Sequence, residues 1–219
     1  MKQPQNNGMK LNALTRDDWI GVAREMLISE GASKLSLRRI ATRLNATTGA
    51  FYWLFSNLDD LLDGLCEDWR TRNSAAFDQV FDNPDLDCYE KYLGYVGVLL
   101  QEEIYDPNYD SAMREWAHSR QEVRAILLVV DNRRIAQLQA MFDEMGFSPK
   151  SSRVRALMTY FHQSGYYRME IDETLEERLS NIPYYAEILV GSGFIPVDMP
   201  IEDLRTLILG KFAETVRLD

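Results

Sequence analysis

The stretch that most constrains this fold is residues 36–55, SLRRIATRLNATTGAFYWLF, which carries two short helical patterns separated by a turn. The first pattern follows Ser36, a natural N-cap, and places apolar residues at positions i, i+3, i+4 and i+7: Leu37, Ile40, Ala41 and Leu44. Asn45 comes next, and asparagine readily adopts the left-handed conformation that lets a chain turn sharply out of a helix. Thr47 and Thr48 can cap a second helix over residues 49–55. The pattern predicts a helix-turn-helix, whose second helix enters the DNA major groove.

The distribution of charge along the chain fits a DNA-binding head. The formal net charge is −10, which would repel phosphates if it were spread evenly. Residues 1–57 instead hold eight lysines and arginines against four acids, a balance of +4 that leaves −14 for residues 58–219. A small helical subdomain that only packs is the alternative interpretation. Because the positive charge lies at one end, we expect that end to bind DNA and the acidic body to lie away from it.

Composition bounds the other classes of function. No apolar run is long enough to cross a bilayer and no hydrophobic segment resembles a secretory signal, so we expect a cytoplasmic protein without a membrane partner. Cys66 and Cys88 lack a metal-binding spacing and are expected to be reduced core thiols, a redox switch being the alternative. Catalytic, phosphate-binding and metal-ligand signatures do not occur in the sequence, so neither an enzyme nor a cofactor nor a metal is expected.

Helical periodicity runs through the whole chain and predicts an all-α fold. We predict a flexible arm over residues 1–14, a three-helix helix-turn-helix domain over 15–60, a linking helix over 57–81, and a helical regulatory and dimerisation domain over 82–219. Later helices are predicted at residues 88–104, 109–118, 121–144 and 149–171, at 174–190 with an interruption at Pro183, and from Pro200 onward.

Residues 14–69 resemble the N-terminal domain of the TetR family of bacterial transcriptional regulators. The resemblance rests on a first helix that ends in Glu30 and Gly31, followed by LSLRRIATRL, TGAFYWLF and LLDGL. Asn45 stands where the family usually has glycine, which it can replace, and Leu58 stands where the family usually has a lysine that reaches a phosphate. The segments MREWAHSRQEVRAILLVVDNRR and MFDEMGFSP also resemble the regulatory domain of one broad group within the family.

The resemblance implies which residues contact double-stranded DNA. Five occupy positions where the family's recognition helix meets base edges: Thr47, Thr48, Gly49, Ala50 and Trp53. Tyr52 occupies the position that usually bonds a phosphate. Ser36, Arg38 and Arg39 are further candidates for phosphate contact, a solvated charged face being the alternative for the two arginines. The family also implies a homodimer on a palindromic operator.

The body is expected to hold a pocket for an unknown small, largely apolar effector that releases a repressor from its operator. Ligand pockets are mostly apolar with a few polar anchors, and the candidate lining residues are Trp69, Tyr92, Tyr95, Trp116, Phe161, His162 and Tyr166. Ordinary core packing is the alternative for each of them. Two competing hypotheses are a ligand-independent DNA-binding architectural protein, and a small-molecule-binding protein or enzyme with a vestigial head.

Two segments are predicted to form the dimer interface, residues 149–171 and 200–218, packed as a four-helix bundle across a two-fold axis. Their apolar faces are too broad for packing on one side only. The residues are Val154, Leu157, Met158, Phe161 and Gly165 on the first segment, and Leu204, Leu207, Ile208 and Phe212 on the second.

Overall fold

The computed structural model describes residues 14–102, 104–169 and 171–210, together with residues 212, 213 and 216. In these residues the chain is helical and contains no strand, so the all-α prediction is confirmed. The helices are α1 (Arg16–Glu30), α2 (Leu37–Arg43), α3 (Thr48–Tyr52), α4 (Leu58–Phe81), α5 (Cys88–Leu100), α6 (Pro107–Trp116), α7 (Gln121–Glu144), α8 (Pro149–Arg168), α9 (Leu175–Leu189) and α10 (Ile201–Arg205). A 3₁₀ turn, Ala32–Lys34, follows α1, and a π-helical segment, Thr206–Gly210, continues α10.

Two compact units divide between Leu65 and Cys66, inside α4. The three-part division into head, linking helix and regulatory domain stays a prediction. Most of the predicted arm, residues 1–13, and the predicted end of the last helix at residue 218 lie outside the described residues. No helix in the described ranges is both long enough and apolar enough to cross a membrane.

The first unit, here called the head, packs around aromatic side chains. Thr15 and Asp18 form a reciprocal capping box that starts α1. Trp19 is fully buried and meets the ring of Phe51 edge-on, with 5.3 Å between the centroids. Phe51 in turn stacks on Phe55 at 5.0 Å. The ring of Phe51 therefore contacts Trp19 on one side and Phe55 on the other, and these contacts fix α3 against α1.

The turn between α2 and α3 has the predicted geometry. Asn45 has φ 51°, the left-handed conformation, and this prediction is confirmed. The second helix differs from the prediction of residues 49–55, because it begins at Thr48 and ends at Tyr52. Its end follows from hydrogen bonding: the Phe51 carbonyl accepts from the backbone N–H groups of both Leu54 and Phe55, which closes the last turn.

The second unit, here called the body, has a core built from α4 to α10. Helices α7 and α8 pack along each other. Gly97 of α5 lets the segment after α10 approach closely, since a Cβ atom at this position would lie 2.6 Å from the Cβ of Phe212. The core includes Val80, Tyr92, Val98, Leu138, Phe142, Ala156, Leu179, Ala186 and Ile208.

Several predicted helix ends in the body shift by a few residues. Helix α6 begins at Pro107 rather than 109. The side chain of Asp106 caps the helix by accepting hydrogen bonds from the backbone N–H groups of Asn108 and Tyr109, and proline suits the first helical position. Pro183 does not interrupt α9, and this prediction is wrong. The proline removes one backbone donor, but Leu179, Ile182 and Pro183 are buried together, so packing holds the helix continuous.

The second predicted dimer face is also wrong. Leu204, Ile208 and Phe212 are 2%, 0% and 3% exposed in a single chain. They pack inside the body, on α5 and α9, instead of forming a free apolar surface. Periodicity alone shows that one face of this segment is buried, without showing whether the partner is the same chain or another copy.

Candidate nucleic-acid interface and ligand cavity

The residues predicted to meet DNA bases lie together on α3 and its two ends. Thr47 caps the helix, since its hydroxyl accepts a hydrogen bond from the backbone N–H of Ala50 at 3.2 Å. Ala50 itself is half-buried. The others are exposed: Thr47, Thr48, Gly49, Tyr52 (62%) and Trp53 (89%). The helix therefore presents hydroxyls and two aromatic side chains outward from a buried Phe51.

Gly49 is not required by packing within the head. A Cβ atom here would lie 3.7 Å from the hydroxyl oxygen of Thr47, which is an ordinary contact. The fold therefore tolerates a side chain at the start of α3. A small residue at this position suits a helix that must approach another surface closely.

Ser36 occupies the N-cap position of α2 with an extended backbone, φ −149° and ψ 145°. Ser36 is therefore the N-cap residue, as predicted, although its side chain makes no capping hydrogen bond. The helix start is held instead by the Ser36 carbonyl, which accepts from the backbone N–H groups of Arg39 and Ile40 at 3.0 Å each. The hydroxyl is consequently available to a ligand such as a phosphate.

The arginines of the head differ in how they are engaged. Arg39 and Arg43 both pair with the carboxylate of Glu30. Arg38 is exposed, and its side chain has no ion pair with another described residue. Arg16, which the sequence did not single out, has a structural role: it bonds Asp60 at 2.8 Å and lies 4.1 Å over the ring of Phe55.

Charge pairing inside the head also organises the start of α4. Two hydrogen bonds lower the pKa of Asp60: the larger effect comes from the side chain of Arg16, and a smaller one from the backbone N–H of Ser56. The backbone N–H of Asp60 donates to the side-chain oxygen of Asn57 at 3.0 Å. Leu58, at the position where a phosphate-binding lysine would be expected, is half-buried. The balance of +4 in the sequence therefore overstates the positive charge that the head presents.

A cavity in the body has a volume of about 90 Å³ and opens to solvent. It is formed by α5, α8 and α9 and the segment before α9. The lining residues are Tyr92, Val96, Leu99, Leu100, His162, Gln163, Tyr166, Tyr167, Glu173, Arg178, Asn181, Ile182, Tyr185 and Leu189. Its lining, apolar and aromatic side chains with a few polar groups among them, fits a small-molecule site.

Three of the seven predicted pocket residues, Tyr92, His162 and Tyr166, line this cavity. The prediction missed the wall contributed by α9. A signal for that wall was present, because residues 178, 182, 185 and 189 recur at helical spacing on one face. Only Tyr185 among them is aromatic, so a prediction based on aromatic side chains does not include this face of α9.

The other four predicted pocket residues lie elsewhere. Trp69 is completely buried in packing, and Trp116 is 6% exposed with Arg120 lying 5.7 Å from its ring. Tyr95 is buried beneath the cavity, where its hydroxyl donates to Gln163 at 2.7 Å. Phe161 is 62% exposed on the outside of α8. Helical periodicity separates inside from outside, but does not distinguish a cavity wall from solid core.

The polar groups of the cavity include Arg178 of α9 and His162 of α8. Arg178 donates to a Glu102 carboxylate oxygen at 2.6 Å, to the carbonyl of Leu99 at 2.7 Å and to the hydroxyl of Tyr167 at 2.9 Å. Burial lowers the pKa of His162. The His162 ring therefore favours its neutral form near pH 7.

A buried charge cluster that the sequence did not reveal ties three helices of the body together. Arg114 of α6 binds Asp110 at 2.6 Å and Asp131 of α7 at 2.9 Å. The hydroxyl of Tyr160, on α8, donates to Asp131 at 2.6 Å. Burial raises the pKa of Asp110, and Arg114 opposes that shift. The cluster cross-links α6, α7 and α8 outside the cavity wall.

The head and the whole fold are similar to known proteins to different extents. Residues 20–65 match the family described as "Bacterial regulatory proteins, tetR family". An HTH-type transcriptional regulator from Saccharopolyspora erythraea is 36% identical over 61 residues, which are 28% of this chain and 26% of that protein. The tetracycline repressor protein class C of Escherichia coli is 41% identical over 63 residues, 29% of each chain.

A structural likeness extends beyond the head. A TetR-family transcriptional regulator from Marinobacter aquaeolei VT8 superposes with a TM-score of 0.63, covering 90% of this chain and 98% of that one at 15% identity. At this identity the likeness concerns the fold alone. The matched sequence of both curated relatives is limited to less than a third of their length.

Proposed function

We propose that this chain, a member of the TetR family of bacterial regulatory proteins, is a sequence-specific DNA-binding transcriptional regulator that represses and is released by a small molecule. The observation that carries the proposal is the surface of α3, where Trp53 is 89% exposed next to a fully buried Phe51. The buried ring fixes the helix, so that the helix presents one set of side chains to a groove. The repressor role is supported by the name of the Escherichia coli relative, a tetracycline repressor.

Contacts on α3 divide into two kinds in this proposal. Thr47, Thr48 and Trp53 contact base edges and specify sequence, whereas Tyr52 bonds a phosphate and sets the position of the helix. Trp53 offers an apolar surface that suits the methyl group of thymine. Arg38 and the unused hydroxyl of Ser36 add phosphate contacts at the start of α2.

The regulator acts as a homodimer in which α8 and α9 supply the interface. Both helices carry large apolar side chains on the outside of the body: Val154 (48%), Met158 (50%), Phe161 (62%), Tyr184 (55%) and Ile188 (63%). An exposed apolar patch of this kind favours association, and one patch that meets itself across a two-fold axis closes as a dimer. A dimer matches a palindromic operator whose half-sites lie about 34–36 Å apart.

The effector site is the cavity between α5, α8 and α9. Two of these helices also carry the apolar patch, so a ligand between them can change how the two copies are held. In one conformation of the dimer, the distance between the two heads does not match the spacing of the operator half-sites. A ligand that binds this conformation more tightly lowers operator affinity by population shift.

Selection from a random DNA library tests the DNA-binding part of the proposal. Repeated rounds with the purified chain should enrich an inverted repeat, which binds about 10³-fold or more tightly than unrelated DNA in a fluorescence anisotropy titration. The Trp53→Ala variant should keep non-specific binding and lose the enriched preference. If no sequence is enriched, the proposed function is wrong, and a single half-site would contradict the two-fold dimer.

Sedimentation equilibrium tests the interface separately. Phe161→Glu should shift the protein from dimer to monomer, because it places a charge within the apolar patch. Val129→Glu is the matched control, since Val129 is similarly exposed, at 67%, but belongs to α7, which is not part of the proposed interface. Equal dissociation of the two variants, or none, would contradict an interface through α8 and α9.

A further inference from the structure

The cavity wall contains several aromatic rings that lie against one another. The ring of His162 lies against that of Tyr185, with 4.3 Å between the centroids, and 6.1 Å from that of Tyr166. Tyr166 meets Tyr167 edge-on at 5.3 Å. Aromatic faces carry negative potential, and several of them around one space form the kind of site that attracts an organic cation.

A carboxylate stands among these rings without a cationic partner. Glu173 lines the cavity and accepts a hydrogen bond from the side-chain amide of Asn181 at 3.0 Å. No lysine or arginine of the described residues lies within ion-pair distance of it. Burial, and to a smaller extent a hydrogen bond with this carboxylate, raises the pKa of Tyr166 to about 12. The carboxylate is therefore held in place by neutral groups, and its charge is left for a ligand.

Arg178, the arginine that the described part of the chain contributes to the wall, does not favour an anion. Arg178 already bonds a carboxylate oxygen of Glu102, the carbonyl of Leu99 and the hydroxyl of Tyr167. Its charge is neutralised by Glu102, and an anionic ligand would have to break that pair. A cleft beside the cavity adds Asp172 to Glu102 and Glu173 around the same arginine, so this cleft carries an excess of negative charge.

We propose, as a refinement that rests on the proposed function, that the ligand of this cavity is a monovalent organic cation with an apolar or aromatic body. Its ammonium or phosphonium centre lies beside the carboxylate of Glu173 and the ring of Tyr185. The neighbouring ring of Tyr166 already has the guanidinium of Arg178 over it, 5.3 Å from its centre. Its apolar body contacts Val96, Leu99 and Ile182. His162 favours its neutral form because burial lowers its pKa, so the ring adds an aromatic surface without adding a competing positive charge.

Two ions of the same shape and opposite charge test this proposal directly. Tetraphenylphosphonium and tetraphenylborate should be titrated into the full chain by calorimetry in sodium buffer. The cation should bind roughly tenfold or more tightly than the anion, because one carboxylate in a partly buried site discriminates by charge. Equal binding, tighter binding of the anion, or no binding of either ion would overturn the proposal.

Paired variants locate the charge and the rings. Glu173→Gln should weaken the cation about tenfold, whereas Glu176→Gln, in the exposed first turn of α9, should leave it unchanged. Tyr185→Leu should weaken the cation about three- to thirtyfold, and Tyr185→Phe, which keeps the ring, should retain most of the affinity. Thermal melting of each variant reports folding. An equal effect of both glutamate variants, or of both tyrosine variants, would contradict the assigned site.

A DNA titration separates this inference from the proposed function. If the chain binds its selected operator and neither ion binds the cavity, only the ligand class is wrong. If binding of the cation requires Glu173 but the chain prefers no DNA sequence, the result supports the ligand class and contradicts the regulatory role. If both hold, tetraphenylphosphonium should release the operator, and the Glu173→Gln variant should require about tenfold more of it.

Discussion

The guanidinium of Arg39 is hydrogen-bonded to the carboxylate of Glu30, on the same unit that presents α3. Arg43 shares that carboxylate. Glu30 therefore neutralises part of the positive face of α2, and a phosphate that approaches Arg39 competes with a partner inside the protein. The charge available to DNA is set by this pairing as much as by the number of basic residues.

We expect Glu30→Gln to tighten binding to all DNA sequences and to make it more dependent on salt. Loss of the carboxylate frees two guanidinium groups, and the slope of log affinity against log salt should steepen by up to about 0.9 for each arginine that gains a phosphate. Fluorescence anisotropy between 50 and 200 mM salt measures both effects. The loss of stability should stay below about 1 kcal/mol, since these ion pairs are partly exposed.

Glu25→Gln is the matched control for this prediction. Glu25 is exposed on the same helix, so the substitution removes the same charge without freeing these arginines. A purely long-range effect of charge would give the two variants the same slope. That result would mean that neither Arg39 nor Arg43 reaches a phosphate after release.

Tyr52→Phe should weaken binding to all sequences alike, whereas Trp53→Ala should change which sequence is preferred. Both side chains are mostly exposed, at 62% and 89%, so neither substitution should shift the melting temperature appreciably. The physical reason is that phosphate contacts set position and base contacts set specificity. Library selection with each variant measures the preference, and a changed preference with Tyr52→Phe alone would reverse the assignment.

Much of the head could be predicted because its signals are local. The turn at Asn45 depends on one residue's backbone preference, and the start of α3 depends on the Thr47 cap one residue before it. The partners of Arg39 and Arg43 could not be predicted in the same way, because Glu30 lies 9 and 13 residues away and reaches them only after α1 and α2 have packed.

The body was less predictable for a related reason. The hydrogen bonds of Arg178 join residues 76 and 79 positions apart, so they depend on how α5 and α9 meet. The burial of Phe212 likewise depends on Gly97, more than a hundred positions earlier. Periodicity indicates which faces are apolar, whereas the partner of each face is a property of the packed structure.

Gly97→Ala should destabilise the body by about 1–3 kcal/mol, the usual effect of overpacking a close contact. The added methyl group would lie 2.6 Å from the Cβ of Phe212, so the segment after α10 must move. Urea denaturation measures the loss. Gly21→Ala is the control, because a Cβ at Gly21 meets only the end of Arg24 at 3.9 Å and should leave stability equal or higher by about 0.5–1 kcal/mol. If both variants behave alike, the close approach at Gly97 does not limit stability.

Leu58 is the first residue of α4. Leu58→Lys should tighten operator and unrelated DNA alike, and should steepen the salt slope by up to about 0.9 for each new phosphate contact, or nearly 2 in a dimer. Leu58 is half-buried, so replacement should also lose part of the roughly 1.5–3 kcal/mol that complete burial of a leucine provides. Leu58→Gln separates the two effects, because it loses the same burial without adding charge. Melting temperatures should fall equally in both variants, while only the lysine should change the slope. An unchanged slope would show that this end of α4 does not face the phosphates, and that the head contacts DNA through α2 and α3 alone.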